Sequence, residues 1–220
     1  MFPIRDHNPS DKPPVVNFLI IAITVFVFFL ELSAPDLDVF IRQYALIPGQ
    51  VSFTSFPTLL PFLYSIFLHG GWLHIISNMW FLWIFGDNIE SYLGHFNYLF
   101  FYLFTGLMAG FAQYMLSPVS DIPTLGASGA ISAVLGAYMV LYPRHKIETL
   151  IATFGGFLQK VELPASLMLG YWFVIQIFSG IGSLGISAGG GVAWFAHIGG
   201  FLSGFILIRL FPEKQSVNNY

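Results

Sequence analysis

VVNFLIIAITVFVFFLEL, residues 15–32, is an apolar run of about 18 residues, near the roughly 20 that a helix needs to cross a bilayer. A short polar segment, 1–14, precedes it. The run is longer than a usual signal-peptide core, and Ser33-Ala34-Pro35 behind it is a poor cleavage site. It therefore reads as a retained first span. Composition agrees: 56% of the 220 residues are hydrophobic, 18% aromatic and only 9% charged, with a mean hydropathy of +0.75. Soluble chains carry about a quarter charged residues. A net charge of −3 without a basic cluster gives no support to a nucleic-acid partner. The absence of cysteine excludes disulfides, thiolate chemistry and cysteine-type zinc sites.

Five further apolar runs follow, over 72–89, 96–115, 127–142, 163–179 and 192–210. The expected architecture is an all-α membrane protein with six transmembrane helices. The long connection 33–71 carries Pro48, Pro57 and Pro61, which argue for short helices in a partly submerged loop rather than a straight span. With six spans, Arg5, Lys12, Arg144, Lys146, Lys160, Arg209 and Lys214 share one side and only Arg42 falls on the other. The positive-inside rule makes that side cytoplasmic, termini included. Expected divisions are a cytoplasmic segment 1–14, a membrane domain 15–211 and a cytoplasmic tail 212–220. No organelle-targeting pattern is visible, so a multi-pass plasma (inner) membrane protein in contact with membrane lipids is expected.

Polar groups inside a bilayer are expensive and mark function. His74 and Asn78 begin the second span, Ser128 begins the fourth, and His197 lies about five residues into the sixth. These spans run inward from the outer face, so all four residues share one depth. His74 and Asn78 are four apart and project from one helix face. Side-chain donors beside a serine suit a developing negative charge, although interhelical hydrogen bonding is the plainer role for them. Metal is not expected: His74 is followed by Ile75, without the Glu of H-E-x-x-H. No cofactor is expected either.

Small residues form two matching rows. Gly129, Ala133 and Ala137, with Gly136 alongside, line the fourth span; Gly200 with Gly204, and Gly199 with Ser203, line the sixth. Such rows let helix backbones approach closely. Packing the two together would bring Ser128 to His197. Ser128, His197 and the donors His74 and Asn78 would then fill nucleophile, base and electrophile roles. Asp87 lies 13 residues beyond His74, about 20 Å deeper, Glu90 is deeper still, and Asp121 is in an outer loop. A Ser-His dyad is expected rather than a triad.

The H-x4-H-x3-N of His69, His74 and Asn78, the G-x-S-G of 126–129 and the A-H-x-G-G of 196–200 resemble the rhomboid family of intramembrane serine proteases. The resemblance covers about residues 15 to 210 and implies a rhomboid-like bundle with a membrane-embedded first loop. It implies an endopeptidase that cuts transmembrane protein substrates in or near their membrane segments. Ser128 is matched to the nucleophile and His197 to the general base. His74, Asn78 and the Ser128 N–H are matched to the oxyanion site. His69, Gly126, Gly129, Gly199, Gly200 and Ser132 are expected in supporting positions. Trp172 and Phe173 lie on the helix matched to a lateral substrate gate, residues 180–191 correspond to a capping loop, and Glu90 and Gly94 to a position closing the second helix. Some members carry Tyr or Phe four residues after the nucleophile, stacked on the catalytic His; here that position is Ser132, a rival nucleophile one turn deeper. Orientation of His197 by Ser132 or by water are the two options left open. The rival reading from another class is a catalytically silent rhomboid-like protein that binds transmembrane helices; such relatives usually lack the Ser or the His.

Overall fold

The computed structural model describes residues 1–8, 10, 13–153, 156–183 and 192–211. The first apolar run forms helix α1 (Val15–Ser33), which starts behind Pro13-Pro14. Its N-terminus is held by Glu90, whose carboxylate accepts from the N–H groups of Val16 at 2.8 Å and Asn17 at 2.7 Å. A carboxylate there satisfies free helix donors and opposes the positive end of the dipole.

The connection that follows contains α2 (Leu37–Tyr44), two 3-10 turns (Pro48–Gln50 and Phe56–Leu59) and the single turn α3 (Pro61–Tyr64). Pro48, Pro57 and Pro61 each sit in a first turn, where the missing N–H costs nothing. Asp36 caps α2 by accepting from the backbone of Asp38 and Val39.

Helix α4 (Trp72–Leu93) ends at Gly94, whose φ of +79° turns the chain straight into α5 (His95–Leu116). Buried Asn17 ties α1 to both: it donates to the Leu82 carbonyl at 3.0 Å and accepts from the Tyr98 hydroxyl at 2.8 Å. Helix α6 (Ser128–Leu141) is the buried centre, with α4, α5, α7 (Ala165–Ser183) and α8 (Trp194–Leu207) around it. The two small-residue rows do meet. A Cβ on Gly200 would overlap the Gly129 carbonyl, and one on Gly204 the Ala133 carbonyl. Gly199 faces Ala112 of α5 instead.

Strands are the feature the sequence reading did not anticipate. β1 (Phe2–Asp6), β2 (Lys146–Ala152) and β3 (Leu158–Pro164) form an antiparallel sheet in that order. The stretch 143–162, read as a plain connection, is largely this β2–β3 hairpin, and α7 begins at Ala165 rather than 163. Alternation explains it: Ile147 and Thr149 are buried, while Lys146–Glu162 and Glu148–Lys160 pair diagonally across the exposed side at 2.8 and 2.9 Å. The N-terminal segment is the edge strand of this sheet. It is pinned to α4, where Trp80 donates to the Pro3 carbonyl at 2.8 Å and Asn88 to Asp6 at 2.7 Å. The sheet thus bridges α4, under β1, and α7, under β2 and β3.

Helices α1, α5 and α7 are each long and apolar enough to cross a membrane, and α6 and Trp194–Leu210 are shorter apolar helices. Phe26, Phe29, Phe100 and Phe178 point outward from the bundle. Large apolar side chains on outward faces suit lipid, and the chain is a mostly helical membrane protein.

Candidate active site

Helix α6 starts at Ser128, in a turn that only glycine permits. Gly126 has φ +120°, and a Cβ there would stand 2.6 Å from His74 Nε2 and 3.6 Å from Ser128 Oγ. Its N–H donates to the Ser65 carbonyl at 2.8 Å, anchoring the turn to the segment after α3. The glycine therefore lets the α6 start and His74 of α4 crowd into one place.

The seam between α6 and α8 brings the next partner. His197 Nε2 lies 2.8 Å from Ser128 Oγ. Around them opens a cavity of about 530 Å³ lined by His69, His74, Asn78, Leu125, Ser128 and His197 among others. Asn78 is 7% exposed and its Nδ2 has no hydrogen-bond partner, leaving an unspent donor beside the serine. The Ser128 N–H belongs to the first helical turn, whose donors lack partners within the helix. His74 Nδ1 donates to the His69 carbonyl at 2.7 Å, since a carbonyl can only accept. His74 Nε2 is thereby the nitrogen near Gly126.

His69 stands behind this wall, its ring 5.0 Å from that of His74. Buried Glu31, near the end of α1, accepts from the backbone N–H groups of His69 at 2.9 Å and Gly70 at 2.7 Å. Glu31 escaped the sequence reading, which treated residues 15–32 as uniformly apolar; a lone carboxylate in a span was the available signal. Gly129 and Gly200 form the seam, and Gly199 joins α8 to α5. Among the described residues no group of three His, Asp or Glu is placed to hold a metal ion.

Ser132 does not orient the histidine. Its hydroxyl donates to the Ser128 carbonyl at 2.6 Å and its side chain is buried. His197 Nδ1 meets Gln176 Oε1 of α7 at 2.8 Å instead. Gln176 was missed because the search for a third member considered only acids. Trp172 lies with its ring 5.9 Å from the imidazole of His197, and Phe173 stacks on Phe201 of α8 at 4.3 Å. Trp172 also shares a smaller cavity with Phe81, Ile131, Ser132 and Leu135 below the serine. Of the expected capping loop, residues 184–191 lie outside the described residues, as does the tail 212–220.

Comparison with known proteins shows the family of the chain. Residues 57–214 match the Rhomboid domain profile. The presenilin-associated rhomboid-like protein, mitochondrial, of Bos taurus is 34% identical over 144 residues, which are 64% of this chain and 36% of that protein. Rhomboid-like protein 11, chloroplastic, of Arabidopsis thaliana is 28% identical over 74% of this chain and 56% of its own length. Rhomboid protease GluP of Bacillus subtilis (strain 168) is 29% identical over 87% of this chain and 34% of its own. The chain thus spans between about a third and somewhat over half of the length of these relatives. With a match over most of its length, the chain belongs to the rhomboid family.

Proposed function

We propose that the chain is an intramembrane serine endopeptidase that cleaves transmembrane proteins in or beside their membrane segments with a Ser128–His197 dyad. The observation carrying this reading is the 2.8 Å contact between His197 Nε2 and Ser128 Oγ at the head of a buried helix. His197 takes the hydroxyl proton as Ser128 attacks the scissile carbonyl, and the imidazolium then protonates the leaving amine. Water hydrolyses the acyl-enzyme by the same exchange in reverse. The oxyanion faces Asn78 Nδ2, the Ser128 N–H and His74. The His74 Nδ1–H is committed to the His69 carbonyl, which turns Nε2 toward Gly126 and the start of α6.

The same reading has six spans within a membrane domain 15–211, a submerged first loop, and both termini on the cytoplasmic side of the plasma (inner) membrane. Substrate enters between α4 and α7, past Trp172 and Phe173. In support, α4 and α7 both flank α6 yet barely touch each other.

The test uses purified protein in detergent and a single-span substrate. Ser128→Ala and His197→Ala should each lower cleavage by about 10³-fold or more without lowering the melting temperature. Cleavage that survives Ser128→Ala removes the nucleophile. A wild-type protein that binds the helix and never cuts it supports the silent helix-binding alternative.

A further inference from the structure

The imidazole of His197 must present a lone pair, not an N–H, to Ser128 if it is to act as base. A neutral histidine has two tautomers, and the partner of the far nitrogen selects between them. Here that partner is an amide. Gln176 is buried in an otherwise apolar helix, where an unsatisfied polar side chain is costly. Its two ends are distinguishable. Gln176 Nε2 lies 3.3 Å from the Trp172 carbonyl, which can only accept, so this end is the NH₂. The other end, Oε1, is therefore an acceptor 2.8 Å from His197 Nδ1. Nδ1 must carry the proton, and the lone pair falls on Nε2, facing Ser128 Oγ. The Trp172 carbonyl thus sets the amide, the amide sets the imidazole, and the imidazole faces the hydroxyl.

Other candidates for this role are engaged elsewhere. Ser132 donates to the Ser128 carbonyl, Glu90 caps α1, and Asp87 accepts from Asn88. The rings of Trp172 and Trp194 flank the imidazole at 5.9 and 6.2 Å, which restricts rotation of the ring but does not choose its tautomer.

We propose that Gln176 is the positioning residue of the dyad, holding His197 as the Nδ1–H tautomer through a neutral Trp172 carbonyl–Gln176–His197 chain in place of an acid or a stacked aromatic. This rests on the assignment of Ser128 and His197 above. A neutral amide fixes the tautomer without placing a negative charge beside the imidazole. Because Gln176 belongs to α7, the base is set only while that helix is seated against α8.

Gln176→Leu and Gln176→Glu separate this role from simple packing. Labelling of Ser128 by a fluorophosphonate reads its nucleophilicity, kinetics on a single-span substrate give kcat and KM, and ¹⁵N NMR of the histidine side chain reads the tautomer. In Gln176→Leu the labelling rate and kcat should fall roughly 10- to 100-fold while KM stays within about twofold, and His197 should populate both tautomers. Gln176→Glu, which keeps an acceptor at the same atom, should recover most of the labelling rate. A folded Gln176→Leu protein labelled at the wild-type rate, or still wholly Nδ1–H, overturns the proposal. Gln176→Met serves the same comparison if the leucine variant does not fold. Should wild-type Ser128 resist labelling and cut nothing, the protease reading fails, and the tautomer measurement alone then decides the role of Gln176.

Discussion

Helix α6 has two kinds of neighbour. Against α8 it packs backbone to backbone, with glycine or alanine at every crossing, so that one added methyl group at Gly200 or Gly204 would strike a carbonyl. On the opposite flanks α4 and α7 approach through bulky side chains and hardly meet each other. Ser128 and His197, the proposed nucleophile and base, stand on the tight pair, where close packing holds their separation. The residues proposed to face the oxyanion and to position the base stand on the loose pair, Asn78 and His74 on α4 and Gln176 on α7. Within one bundle, the Ser128–His197 distance is built into a close-packed seam, while the residues that line the rest of the site come from helices that hardly touch each other.

Glycine substitution is the sharpest way to break the contrast. Gly200→Val drives a branched side chain, Cβ first, into the Gly129 backbone, so the protein should lose more than about 3 kcal/mol of stability, seen as a steep fall in melting temperature in detergent. A wild-type melting temperature would mean that the seam is not tightly packed.

The link between α4 and α7 should respond to pH. Burial, followed by the nearby Asp87 charge, raises the Asp6 carboxyl to about 6 against hydrogen bonds from Tyr138 and Asn88 that lower it. Below about pH 4 the folded and unfolded chains both hold this proton; between about 4 and 6 only the folded chain does. Stability therefore falls as pH rises through that window and stays lower above it. Since Asp6 is partly exposed, the change should be on the order of 1 kcal/mol. Melting curves of wild type and Asp6→Asn at pH 4 and pH 7 check this, because the variant should lack the contribution. Equal pH responses in the two proteins would sink the account.

The smallest effect belongs to Gly170 of α7, around which a Cβ would meet nothing within 4 Å. Gly170→Ala should stabilise the helix by about 0.5–1 kcal/mol, the reverse of what the same residue type does in the seam. A drop in melting temperature would show that α7 is closely packed around Gly170.

Much of the bundle was legible because lipid imposes long apolar runs and close packing imposes small residues. The helix starts at Val15 and Trp72 and the Gly129–Gly200 approach could be read directly. Ser128 and His197 stood out as polar groups at one depth. The hairpin did not, because its alternation over 146–152 is short and the charges at Lys146, Glu148, Lys160 and Glu162 look like those of a loop. Gln176 was hidden for a different reason. An uncharged amide in an apolar run gives no titratable signal, and its role depends on which end faces the histidine, a property of three-dimensional packing alone.

The three-stranded sheet has a mechanical side. It fastens β1 to α4 between Trp80 and Asn88 and feeds β3 directly into the first residue of α7, so the two helices share a strap that holds α7 at its starting end. Rods strapped at one end part like the blades of scissors, with the free ends travelling furthest. The free end of α7 leads toward the loop before α8, so any parting would be widest on the side where Ser128 lies. Gln176, eleven residues along from Ala165, would be carried with α7, while Ser128 on α6 and His197 on α8 stayed behind in their own seam.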